Sequence, residues 1–182
     1  MWKKFTHVWL TLLALVAVPV GLTQARSSAM PDNLRVPDQN VRHLTTYATG
    51  SQLYVCKPSA ANPDAYEWTF KAPEAVLRNE YGEQIGIHYA GPTWESFDGS
   101  RVVGQLMERA PAPDADDIPW LLLRGVTNLG NGEFSSTAYI QRIETVGGLA
   151  PEERCDSARA GTERAVDYAA TYHFYSWRDD VR

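Results

Sequence analysis

The chain has 182 residues, with 17 Lys+Arg against 22 Asp+Glu and a formal charge of −5. That length fits one domain, and 44% hydrophobic residues exclude a mainly disordered chain. The acidic balance argues against nucleic-acid binding, which needs a basic face, and the 13 Gly and 11 Pro show no collagen or solenoid period.

Residues 1–25 have the layout of a signal peptide. Lys3 and Lys4 open the chain, an apolar run spans Val8 to Leu22, and Thr23-Gln24-Ala25 offers small residues at the −3 and −1 positions. The run is short for a spanning helix, so no membrane association is expected after cleavage. The predicted mature chain starts at residue 26, and loss of Lys3 and Lys4 takes its charge from −5 to −7. It is read as exported, either periplasmic or extracellular. Cys56 and Cys155 are the only cysteines and have no C-x-x-C spacing. In an oxidising compartment such a pair reads as a structural disulfide.

Residues 26–46 are polar, contain Pro31 and Pro37, and read as an extended arm ahead of one domain over 47–182. Short strand-like runs follow. Gln52–Cys56, Tyr66–Phe70, Pro73–Leu77 and Gln84–Tyr89 come first. After the turn signal Asp98-Gly99 come Val102–Met107, Ile118–Leu123, Thr137–Thr145 and Val166–Trp177. Ile118–Leu123 is continuously apolar, as for a strand buried on both faces. In the last run Val166, Tyr168, Ala170, Tyr172 and Phe174 share one face. About eight or nine strands with little helix predict an all-β antiparallel sandwich or barrel with one disulfide. No dinucleotide or phosphate-loop glycine pattern occurs.

Several ordered blocks carry a family resemblance. They are Gly86–Glu95 (GIHYAGPTWE), Asp98–Ser100, Ile118–Leu123 (IPWLLL), Tyr139–Ile143 (YIQRI) with Thr145–Pro151 (TVGGLAP), Cys155, and Val166–Tyr175 (VDYAATYHFY). Together they resemble the exported bacterial and fungal proteins called domain of unknown function 3455, over roughly Gly50 to Tyr175. The resemblance implies export, a single domain and a Cys56–Cys155 pair, and brings no established activity.

The ligand-binding candidates are His88, Trp94, Glu95, Asp98, Gln141 and Arg142. His88, Glu95 and Asp98 supply acid–base or metal-ligand chemistry but match no zinc spacing. Each also has a structural reading in loops and turns. Trp94 follows Gly91-Pro92-Thr93 and reads either as an exposed platform for a sugar ring or as a barrel plug. Arg142 offers a fork for a carboxylate, whether Glu95, Asp98 or an anionic ligand. His88 with His173 is a weak Zn or Cu candidate, contingent on their strands being neighbours; otherwise no cofactor is expected. The favoured function is a non-enzymatic binding or surface-associated module for a polysaccharide or small polar ligand, in a cleft around His88–Ser100. The alternative is a small metal-assisted or hydrolytic enzyme using His88, Glu95 and Asp98. Oligomeric state is not readable from the sequence.

Overall fold

A computed structural model describes residues 29–180; the predicted signal peptide lies outside the described residues. Eight strands follow in order: β1 Asn40–Pro58, β2 Tyr66–Arg78, β3 Gln84–Tyr89, β4 Thr93–Ser96, β5 Arg101–Ala110, β6 Trp120–Leu129, β7 Tyr139–Gly147 and β8 Glu163–Trp177. Each pairs antiparallel with the next, and β8 returns to pair with β1 from Asn40↔Trp177 to Val55↔Glu163. The sheet is therefore a closed barrel, which leaves no free edge. Helix is limited to three 3₁₀ turns among the described residues.

Strand alternation decides what the barrel holds. Ala48, Ala75, Leu77, Trp94, Val102, Leu123, Ile140, Tyr168, Ala170, Tyr172 and Phe174 form one buried core. The face of β8 predicted from its alternation is the face that points inward. Small residues meet on one side of the wall, with Ala48 paired to Ala170 and Gly50 to Ala75. They leave room for the large rings of Trp94 and Tyr172. At Gly50 a Cβ would lie 2.1 Å from the carbonyl oxygen of Glu74, so only glycine fits there.

The segment read as an extended arm, 26–46, divides in two within its described part. Asp32–Leu34 forms a 3₁₀ turn, and β1 is already under way at Asn40. Leu34 is fully buried outside the barrel, against Ala110, Trp120, Leu122 and Ile143. This small outer core explains the continuous apolar run in β6. Leu121 and Leu123 serve the interior, while Trp120 and Leu122 are covered by the turn. The β2 strand joins two runs that read as separate, because Lys71 is an extra residue at a bulge between the pairs Leu53↔Ala72 and Tyr54↔Phe70. The short β4 was not separable from a loop by its pattern.

The two ends of the barrel differ. Where β4 ends and β5 begins, Phe134 enters from the β6–β7 loop and packs on Phe174 with ring centroids 4.8 Å apart. The opposite end, where β1 ends and β2 and β8 begin, is less filled. Near it the Cys56–Cys155 disulfide ties the end of β1 to the segment preceding β8.

Candidate functional site

At that less filled end lies a cavity of 410 Å³. Its polar lining comes from Gln52, Lys71, His88, Trp94, Arg142 and Tyr172, and the rest is apolar. A pocket of this size with a few polar groups on apolar walls suits a small molecule. Eight strands also give a barrel just wide enough to hold one small ligand.

His88 is 3% exposed and points inward from β3. Its ring stacks on Trp94, with centroids 4.3 Å apart and planes 12° apart. Its Nδ1 lies 2.8 Å from the Thr93 carbonyl oxygen. A carbonyl only accepts, so Nδ1 carries the proton and Nε2 is left as an acceptor. Burial holds the imidazole down at about 3, helped by the Arg142 charge and opposed by the Thr93 hydrogen bond. His88 is thus neutral at physiological pH and is neither a ready general acid nor a cation.

Arg142 points inward from β7, between Leu121 of β6 and Tyr172 of β8. Its Nε and Nη2 donate to the Pro119 carbonyl oxygen at 3.2 and 2.9 Å. None of the ion pairs among the described residues includes it, so the expected bridge to Glu95 or Asp98 is not made. The nearby hydroxyl of Tyr172 is buried and held above its ordinary range, burial outweighing the Arg142 charge. The side-chain polar atoms Gln52 Nε2, Trp94 Nε1, Tyr168 OH and Tyr172 OH are buried without an acceptor in good geometry. They are four of nine such atoms among the described residues, and three of them, on Gln52, Tyr168 and Tyr172, lie together close to Arg142.

The other sequence candidates fall elsewhere. Trp94 is 1% exposed, so it cannot serve as a surface sugar platform. It belongs to the interior, where it lines the cavity. Glu95 faces the opposite side of β4 from Trp94 and accepts from the Tyr89 hydroxyl at 2.6 Å. Asp98 sits in the turn at the far end of the barrel. It accepts from the Ser100 amide and hydroxyl at 2.7 and 2.6 Å and from the Glu133 amide at 2.8 Å. Burial pushes its pKa up, but these hydrogen bonds win and hold it below its ordinary value. The Ser100 oxygen also accepts from the Phe134 amide at 3.1 Å, so Asp98 latches the loop carrying the Phe134 plug. Asp98→Ala is expected to cost about 2 kcal/mol through lost charge-assisted hydrogen bonds. A fall of several degrees in Tm, with the circular dichroism spectrum of the folded protein unchanged, would bear that out.

Gln141 faces outward. It donates to the Leu34 carbonyl oxygen at 2.7 Å and accepts from the Tyr175 hydroxyl at 2.7 Å, which anchors the 3₁₀ turn. His173 lies on the outer face of β8, where its Nε2 is 3.2 Å from an Arg42 nitrogen. β3 and β8 are not neighbours, so His88 and His173 do not share a site. Among the described residues no group of three or more His, Cys, Asp or Glu is placed to hold a metal ion. His88, Glu95 and Asp98 likewise do not converge: one is inside, one outside and one at the far end.

Sequence reasoning passed over Gln52 and Tyr172 as site residues. Gln52 shares the alternation of Tyr54, which marks it as a polar residue pointing inward. Tyr172 was placed on the inward face, yet nothing in the sequence says that its hydroxyl lies near Arg142.

No curated protein and no solved structure matches the chain. Residues 37–176, which run from three residues before β1 to the penultimate residue of β8, match the family described as protein of unknown function (DUF3455). The residues of the cavity and both cysteines fall inside that span, and the chain belongs to this family.

Proposed function

We propose that this protein is a non-enzymatic binding barrel that holds a small, largely apolar molecule in the cavity beside His88, Trp94 and Arg142. One observation carries the reading: three buried donors without a well-placed partner, Gln52 Nε2, Trp94 Nε1 and the Tyr172 hydroxyl, line a 410 Å³ cavity. Unmet buried donors cost about 1–3 kcal/mol each. An interior that retains them is built for something else to meet them. The lack of a converging acid–base set favours binding over catalysis. Of the candidates read from the sequence, His88, Trp94 and Arg142 line this cavity, whereas Glu95, Asp98 and Gln141 do not. The disulfide is compatible with an oxidising compartment, and no helix among the described residues is long and apolar enough to cross a membrane. Both fit export to a periplasm or beyond.

The test uses N-phenyl-1-naphthylamine, a neutral dye that fluoresces in apolar sites. The wild-type protein is expected to bind one equivalent with a blue-shifted emission. Leu121→Trp, which puts bulk into the cavity, is expected to weaken binding at least tenfold while remaining folded by circular dichroism. No binding by the wild-type protein, or equal binding by the variant, would refute an interior site.

A further inference from the structure

Resting on that reading, we infer that the ligand is an amphipathic monocarboxylate, its carboxylate held by Arg142 and its apolar body lying against the leucines of β5 and β6. The cavity lining contains two cations, Lys71 and Arg142, and no Asp or Glu, although the chain as a whole carries −5. Lys71 is already paired, its Nζ 2.6 Å from Glu163 on the outer surface. Arg142 is not paired with a carboxylate. Of its five N–H groups, two go to the Pro119 carbonyl, which leaves a guanidinium face for another acceptor.

The unpaired neutral atoms agree with the charge. Gln52 Nε2 and Trp94 Nε1 only donate, and the Tyr172 hydroxyl can donate. Gln52, Trp94 and Tyr172 are each at most 2% exposed, and all line the cavity. A group that brings oxygen lone pairs and no protons satisfies such a set, whereas an amine or an amide N–H does not. His88 Nε2, left as an acceptor by its Nδ1 hydrogen bond, suits a hydroxyl on the ligand body.

Charge magnitude narrows the choice further. One guanidinium balances one negative charge. A phosphate monoester would bring nearly two into surroundings that are otherwise apolar, and an uncompensated charge there is costly. The apolar contribution comes from Leu106, Leu121, Leu123, Pro73, Pro92 and Phe70. At about 30 Å³ per water-sized group, 410 Å³ has room for roughly a dozen such groups. Medium-chain alkyl and bicyclic aryl carboxylates both fall in that range.

The experiment displaces N-phenyl-1-naphthylamine with decanoate or 2-naphthoate, each against its own methyl ester, on the full mature protein. A carboxylate is expected to compete at a concentration at least tenfold below its ester. In Arg142→Gln that preference is expected to fall to within about twofold, while the dye still binds and so reports an intact barrel. Lys57→Gln, an exposed lysine outside the cavity lining, is expected to keep the preference. Decanoate labelled with ¹³C at the carboxyl gives a check free of mutation, as its resonance should shift and broaden on binding. Equal competition by acid and ester overturns the carboxylate assignment while leaving the binding barrel standing. A preference that survives in Arg142→Gln, or that vanishes in Lys57→Gln, overturns the role of Arg142. Absence of both dye binding and a carboxyl shift removes the cavity reading itself. The alkyl and aryl arms show which body the cavity prefers.

Discussion

Replacing Cys56 and Cys155 together by serine is expected to lower Tm by on the order of 10–15 °C. The bridge joins residues 99 apart, and a closed loop of that length stabilises by about 4–5 kcal/mol in the chain-entropy model. For a chain of this size each kcal/mol moves Tm by about 2–4 °C. The double variant removes the bridge completely, whereas a reductant leaves the outcome dependent on access to the buried Cys56 and half-buried Cys155 sulfurs. The backbone at this point is already well tied. The Cys56 amide donates to the Thr162 carbonyl at 3.0 Å, and the Gly161 amide donates to the Cys56 carbonyl at 2.8 Å. The folded barrel should therefore keep its shape without the bridge, and the loss should appear as stability, not as altered secondary structure. Thermal melts followed by circular dichroism check both points. A fall of less than about 3 °C would show that the denatured chain is already constrained in this loop.

The second large effect is acid sensitivity centred on His88. Its folded pKa of about 3 lies below the ordinary 6.5. Above pH 6.5 the imidazole is neutral in both states, and its burial carries no protonation penalty. Below pH 6.5 the unfolded chain takes up a proton that the folded barrel refuses, so stability falls with pH until about pH 3. Linkage gives a loss of about 2 kcal/mol at pH 5 and roughly 3 kcal/mol at pH 4, relative to neutral pH. His88→Gln removes that titration. The variant is expected to be less stable than the wild type at pH 7, through lost stacking on Trp94, but with a flatter profile between pH 7 and 5. Denaturant unfolding at several pH values gives the difference directly, since the other titrating groups are common to both proteins. Parallel profiles would mean that His88 is hydrated and titrates normally.

Much of the architecture was legible from residue alternation. The inward face of β8, the doubly buried β6 and the turn at Asp98-Gly99 all follow from local pattern. The β1 strand was legible only in its second half. Before Gly50, its residues read as a polar arm because what they bury is set by β8, more than a hundred residues away. Lys71 divided β2 in the sequence because a bulge looks like a break when only its own strand is visible. The site was less legible for the same reason. His88 and Trp94 both line the cavity, but Glu95 and Asp98 stand beside them in sequence and not in space. A strand turns its neighbours to opposite sides, so a dense block of polar residues along the chain is divided between two environments. Arg142 was read with its fork but without its surroundings, which come from β6 and β8.

The pairing of β1 with β8 has a bearing on how the chain acquires its fold. The contact that closes the barrel is also the one most distant in sequence. Until the last strand is available, a sheet of seven strands has two open edges, and one of them is the 19-residue β1. Loop closure over such a span is slow, and unpaired edges invite other chains. A chain that crosses a membrane from its N-terminus would present β1 first and β8 last. The 19-residue edge of β1 therefore stays open until β8, the last strand of the chain, has formed.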